Sequence, residues 1–466
     1  MAPKGFTLLA ALAVSGGTTG SSGGAANATG DIDLSWHAPA QTEVNNLTAV
    51  INSKGVWGFI YDTSETPDDK YGQYNWCNMP HVRKTEYLQP SDEYELKYVE
   101  LSQQAGKDVL EGLHLPVNPF VPVGWIGTCQ FPQITAQGLD DSWLHGADLY
   151  GVYHDLLGLL PSRDAVKYRV TNNQITSQVA GMVVNGMWAT TDSLQLSTQA
   201  AGVDSLEPQY SCPAGASLFN RIKSASNAAW AQHLAAAGPL YEALDDISGV
   251  PADDGGFHTS LDRYYDNLSA RQCHDKPLPC KLVDGVNSTT CVTQDLVDAV
   301  YRLGHWEYSQ IYRDAPDSLA ASVATWGVWI AELAAHLRAV IKGESETIYF
   351  HNVAHDGSVS RLLSILQLDH MVWPGMGSEV VFELYKKKAV DGGNPPAPAT
   401  TSVVVAPGAG AGESGWYVRV LWSGQVFKSS NPTLGLMDMI PVETLLAYFD
   451  GLVGENASLV KGKCSA

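Results

Sequence analysis

The most constraining stretch of this chain is residues 347–366, TIYFHNVAHDGSVSRLLSIL. An apolar run, Ile348-Tyr349-Phe350, gives way to a polar turn carrying His355-Asp356-Gly357. Val359, Leu362, Leu363 and Leu366 then recur three and four apart, the spacing of one helix face. Ser358 stands where a helix N-cap is wanted. A strand, a sharp turn and a helix mount polar groups at the carboxyl edge of a parallel sheet, above it rather than inside it. His355 and Asp356 therefore read as an acid–base pair at such an edge. They also fit a plain solvated turn in which Asp356 only caps the helix.

Two further strand-to-turn units accompany it. Residues 95–101 alternate and are rich in strand formers, and they run into a polar turn predicted over 102–108. Residues 134–160 read as a helix with Leu139, Trp143, Leu144, Ala147, Tyr150 and Leu157 on its apolar face. A strand at 168–170, a turn at 171–174 and a helix at 176–188 follow. Between 206 and 314 helices alternate with loops that hold four cysteines, which predicts an inserted helical cap. A long amphipathic helix is expected over 319–341, with Val323, Trp326, Ile330, Leu333 and Leu337 on one stripe. Strands are expected at 379–385 and 416–422, around a Pro-, Gly- and Ala-rich loop at 386–415 in which 401–405 suits a short edge strand. A helix at 441–452 closes the chain. The predicted fold is α/β: a central mixed, mainly parallel sheet flanked by helices, with the cap inserted. The domains read as signal peptide and leader (1–19), an N-terminal wrapping segment tied down by Cys77 (20–93), the core (94–205 and 315–466) and the cap (206–314).

Lys4 followed by the apolar run 6–14 reads as a secretory signal, with Ala11-Leu12-Ala13 or Ala13-Val14-Ser15 to serve the peptidase. No later segment is expected to cross a bilayer. Sequons stand at Asn27, Asn46, Asn267, Asn287 and Asn456. Seven cysteines in a secreted chain predict disulfides with one thiol left over. The absence of a CxxC pair argues against zinc, and no metal or other cofactor is expected. A net charge of −21 argues against nucleic acid and anionic membrane surfaces as partners. The chain is thus expected to be secreted, extracellular, glycosylated and disulfide-bearing.

From about Tyr94 onward, this order of elements with Ala354-His355-Asp356 before a helix resembles the histidine acid phosphatases, branch two of the histidine phosphatase superfamily. The Ala-His-Asp corresponds to the second signature of that family. The resemblance implies a first signature as well, Arg-His-Gly-x-Arg-x-Pro, directly after the first core strand. Its histidine would accept the phosphoryl group and its arginines would hold the phosphate oxygens. Here that place reads Ser102-Gln103-Gln104-Ala105-Gly106-Lys107. Gln103 replaces the first arginine, Gln104 the nucleophile and Lys107 the second arginine. The family's further arginine falls near Thr176, in a turn offering Asn172, Asn173 and Gln174. A carboxamide has no basic lone pair near neutral pH and forms no phosphoenzyme. Pro80-His81-Val82-Arg83-Lys84 imitates the missing motif, but no core strand precedes it.

The first functional expectation is a secreted carbohydrate-active enzyme, a lyase cleaving a uronic-acid polysaccharide by β-elimination. Gln103, Gln104 and Lys107 would stabilise the carboxylate. His355 and Asp356 would move protons, with Tyr264 or Tyr265 as partner. Asn172, Asn173, Gln174, His258 and Arg263 would bind the extracellular oligo- or polysaccharide. Hydrolysis by Asp356 and Glu383 is a variant of the same idea. Each residue also has a plain reading: turn residues, packing tyrosines, a satisfied loop histidine. The alternatives are a catalytically dead pseudophosphatase that binds a ligand or partner, and a secreted phosphatase using His81.

Overall fold

The first core strand runs further than the sequence suggests. The computed structural model describes residues 32–56, 74–104, 134–158, 165–190, 192, 195–284, 286–388 and 414–465. In chain order these form α1 (Leu47–Asn52), β1 (Tyr94–Gln104), α2 (Ala136–Leu157), β2 (Val166–Val170), α3 (Gln174–Trp188) and β3 (Leu196–Ser197). The segment expected to form the cap follows as α4 (Pro213–Ile222), α5 (Ala228–Ser248), α6 (Gly255–His258), α7 (Asp262–Cys273), β4 (Cys280–Val283), β5 (Val286–Cys291) and α8 (Gln294–Ser309). The chain returns through α9 (Asp317–Lys342), β6 (Tyr349–Ala354), α10 (Asp356–Ile365), β7 (Glu379–Lys387), β8 (Trp416–Trp422), β9 (Gln425–Val426) and β10 (Ile440–Pro441). It closes with α11 (Val442–Val453) and α12 (Val460–Cys464).

The main sheet has the order β10-β8-β7-β1-β6-β2-β3. β1, β6, β2 and β3 pair in parallel, while β7, β8 and β10 continue the sheet antiparallel. Ser102, Gln103 and Gln104, expected in a turn, extend β1 in register with Asn352, Val353 and Ala354. A strand hydrogen-bonded on both sides has no exposed edge, so even these polar residues are buried, and each needs an internal partner. The β6–α10 unit lands as predicted, with one change. His355 is the N-cap and Asp356 lies in the first turn, where the helix N-terminus favours a carboxylate. Ser358 lies inside the helix and its Oγ donates to the Leu206 carbonyl.

Apolar clusters pack both faces of the sheet. One joins β1, β2 and β6 to α2 and α3. The other joins α9, α10 and α11 to β7 and β8. The predicted stripe of α9 is buried in this second cluster. By length and composition α9 could also cross a membrane, contrary to the expectation from sequence, but here most of it is core. A third apolar cluster around Trp230, Leu244, Tyr301 and Trp306 also takes in Val50 of α1, Ala321 of α9 and Trp373. Among the described residues three disulfides join Cys77 to Cys273, Cys212 to Cys464 and Cys280 to Cys291. The first ties the N-terminal segment to the end of α7, within the segment expected to form the cap. Cys129, Lys107 and the 401–405 stretch lie outside the described residues.

Candidate functional site

The carboxyl ends of β1, β6 and β2 bring the candidate residues to one edge of the sheet. His355, directly after β6, places Nε2 3.0 Å from Thr171 Oγ1 at the end of β2. Thr171 Oγ1 lies 3.1 Å from Thr176 Oγ1 on the first turn of α3. Asp356 Oδ2 accepts from the Tyr308 hydroxyl at 2.9 Å and from Trp373 Nε1 at 2.8 Å, and Oδ1 accepts from the Gly357 N–H. Trp373 is sandwiched between Tyr308 (ring centroids 3.7 Å) and Tyr265 (3.9 Å). Its backbone N–H donates to His305 Nδ1 at 3.1 Å. Burial, helped by His370, lowers the His305 pKa to about 3, so the ring stays a neutral acceptor.

At the end of β1 the two glutamines point to opposite faces. Gln104 is buried; with its amide turned to satisfy both ends, the nitrogen donates to the carbonyls of Pro374 and Gly375 at 2.7 Å each. Gln103 links two buried histidines, its Oε1 2.7 Å from His351 Nε2 and its Nε2 3.0 Å from His145 Nδ1. Beyond them, Tyr349 Oη meets His351 Nδ1 at 3.0 Å and His145 Nε2 meets Glu379 Oε2 at 2.8 Å. One direction of donation satisfies every atom: Tyr349 to His351 to Gln103 to His145 to Glu379, each donating to the next. Only a residue with one acceptor and one donor completes that chain. Burial opposes ionisation of Glu379, but His145, His81 and the Val82 N–H hold its pKa below the usual 4.5.

His81 stacks on His145 with centroids 4.1 Å apart, and its Nε2 meets Asp148 Oδ2 at 2.8 Å. Burial, then the neighbouring His145, lower its pKa to about 4 against the pull of Asp148. Arg83 is buried beside it and donates to Asp148 and to the Tyr74 hydroxyl. This cluster pins the N-terminal segment to α2 and β7, with the Val82 N–H donating to Glu379 Oε1. His81 is 7 % exposed, which leaves it little access for in-line attack on a substrate.

The other candidates separate. Tyr265 joins the Trp373 stack, and burial together with the Asp356 charge pushes its hydroxyl pKa up. Tyr264 turns into the cap, where its hydroxyl bonds Asp245 and meets Ser248. His258 also meets Asp245, and Arg263 lies over the Phe257 ring. Those three residues do not share the His355 edge through any described contact. Asn173 caps α3 through the Ile175 N–H, while Asn172 and Gln174 are exposed beside it. Glu383 is enclosed by the hydroxyls of Tyr87, Tyr153 and Tyr385, remote from solvent. Thr171, Tyr308, Trp373 and His305 join the site without having been singled out in the sequence. The Trp373-Pro374-Gly375 sequence, with its proline and glycine, is the local signal that a loop stands there.

No protein-family model matches the chain. It is 25% identical over 288 residues to Counting factor 60 of Dictyostelium discoideum. That match covers 59% of this chain and 63% of the relative, so the chain spans less than two thirds of the relative's length. Among solved structures, Hafnia alvei phytase in its apo form superposes with a TM-score of 0.51 at 13% identity, over 79% of this chain and 99% of the phytase. Its complex with tartrate gives 0.52 at 14% identity, again over 79% and 99%. The Citrobacter braakii phytase gives 0.50 at 12% identity, over 78% and 100%. The fold is therefore the phytase-like α/β fold of the histidine acid phosphatases, with its mixed, mainly parallel sheet flanked by helices.

Proposed function

We propose that this protein uses a histidine-phosphatase scaffold to bind a ligand or partner at the His355 edge and does not form a phosphohistidine. The observation that carries this reading is Gln104. It occupies the place where the resemblance puts the nucleophile, yet it is an amide, 2 % exposed, tied to the Pro374 and Gly375 carbonyls. Such a group neither attacks phosphorus nor becomes a better nucleophile by a change of pH. Gln103 stands in for the first arginine and is committed to His351 and His145. His81, the alternative nucleophile, is committed to Asp148.

The uronate-lyase reading asked Gln103 and Gln104 to face a sugar carboxylate, and both amides are satisfied internally. Secretion and glycosylation remain part of the proposal, supported by the three disulfides, which persist in oxidising compartments. The test is phosphate release from an aryl phosphate and from myo-inositol hexakisphosphate, run beside a panel of acidic and neutral polysaccharides read by ultraviolet absorbance and reducing ends. No turnover on any of them is expected. Phosphate release abolished by His81→Ala or His355→Ala, with the fold intact by circular dichroism, would overturn the proposal. Unsaturated products lost in His355→Ala would replace it with the lyase.

A further inference from the structure

We propose that the cap carries an N-linked oligosaccharide at Asn287 and none at Asn267, although both residues head a sequon. Asn287 is exposed on β5, one of two strands closed into a hairpin by Cys280–Cys291. Its register partner is Leu282, and both strands of the hairpin pair only with each other among the described residues. Ser288 and Thr289 complete the sequon in the same extended stretch. A glycan of many sugar rings needs a surface position with open space beyond the amide, and a two-stranded arm supplies it.

Asn267 is placed otherwise. It is half-buried in the middle of α7. The next two residues, Leu268 and Ser269, are 0% and 2% exposed. The Ser269 hydroxyl, which the sequon requires, donates to the Asp266 carbonyl in the same helix. The Asn267 Oδ1 atom is itself buried. Leu268 belongs to the third apolar cluster, so an oligosaccharide on its neighbour would have to displace packed helix. A chain modified at Asn267 would not close this cap.

The reaction is transfer from a polyprenyl-diphosphate-linked oligosaccharide. The Asn287 Nδ2 bonds to the anomeric carbon, the bond from that carbon to the diphosphate oxygen breaks, and the amide gives up one proton as the polyprenyl diphosphate leaves. Nothing is oxidised or reduced.

The experiment is secretion of the full chain from a eukaryotic cell, followed by enzymatic deglycosylation that converts each glycosylated Asn to Asp, with peptide mass spectrometry. The Asn287 peptide is expected to carry Asp and the Asn267 peptide to keep Asn. In parallel, Asn287→Gln should lose one glycan's worth of electrophoretic mass and Asn267→Gln none. An unmodified Asn287 peptide, or a converted Asn267 peptide from folded, disulfide-intact protein, overturns the inference. Because the wild-type peptides give the answer, it does not depend on either variant folding. Failure here also leaves the binding proposal for the His355 edge standing, since the two share no residue.

Discussion

Replacing Gln103 tests whether the buried donor chain, rather than a substrate, explains that residue. Gln103→Glu keeps the shape and the acceptor for His351 but removes the donor that faces His145 Nδ1, 3.0 Å away. At high pH the introduced carboxylate and that nitrogen would both be acceptors with no proton between them. Leaving a buried acceptor unmet costs about 1–3 kcal/mol. The pair can be repaired by binding one proton, either on the introduced carboxyl or on His145 Nδ1. The folded variant then holds one proton more than the wild type, and each pH unit of that uptake is worth about 1.4 kcal/mol. The destabilisation of Gln103→Glu should therefore shrink as pH falls from about 8 toward about 5. Gln103→Leu strands both His351 Nε2–H and His145 Nδ1 and offers no group to repair them. Its cost should be about 2–6 kcal/mol, from two unmet polar atoms, with little pH dependence relative to wild type. The assay is urea unfolding of oxidised protein at several pH values, comparing midpoints at constant slope. Equal pH profiles for the two variants, or a neutral Gln103→Leu, would refute the donor chain.

Three other outcomes follow from the described contacts. In the chain-entropy picture, removing Cys77–Cys273, whose residues are 196 apart, should cost about 5 kcal/mol, against about 3 for Cys280–Cys291, whose residues are 11 apart; denaturation of the two paired Cys→Ser variants checks the order. His336 meets Glu100 at 3.0 Å, and although burial opposes its charge, Glu100 raises its pKa above 6.5. That contribution is complete below the unfolded value and fades as pH rises through the folded one, so His336→Gln should destabilise more at about pH 5.5 than at about pH 9 by thermal melting. His81 and His305 behave oppositely: burial holds them at about 4 and about 3, while the unfolded chain takes up protons below 6.5. The stability they contribute is full above 6.5 and declines on acidification, and His305→Phe should be less stable at neutral pH but show a shallower acid decline.

The fold was legible because the elements that define it are periodic. The α9 stripe, the β6–α10 unit and the pairing of β7 with β8 follow from apolar spacing alone, and those residues are core here. The end of β1 was not legible, since Ser102-Gln103-Gln104 has the composition of a turn. What keeps it in the sheet is non-local: β6 and β7 on either side, and partners such as His145 and Pro374 that lie far away in sequence. The same limit applies to the site. His355 and Asp356 could be found because a strand and a helix fix them, whereas Trp373 and Tyr308 reach Asp356 from a loop and from the cap.

Those distant partners also bear on why the two glutamines at 103 and 104 belong together. An arginine at 103 would need a counter-charge in a region where Glu379 already serves His145 and the Val82 N–H. A neutral amide instead accepts from His351 and donates to His145, the ring on which His81 of the N-terminal segment stacks. An imidazole at 104 would give up at least one of the two carbonyl contacts that seat the 373–378 loop. That loop carries the Trp373 donor to Asp356. The two glutamines thus hold the packing around the sheet edge, and the double substitution Gln103→Arg with Gln104→His would disturb that packing before it could restore any chemistry.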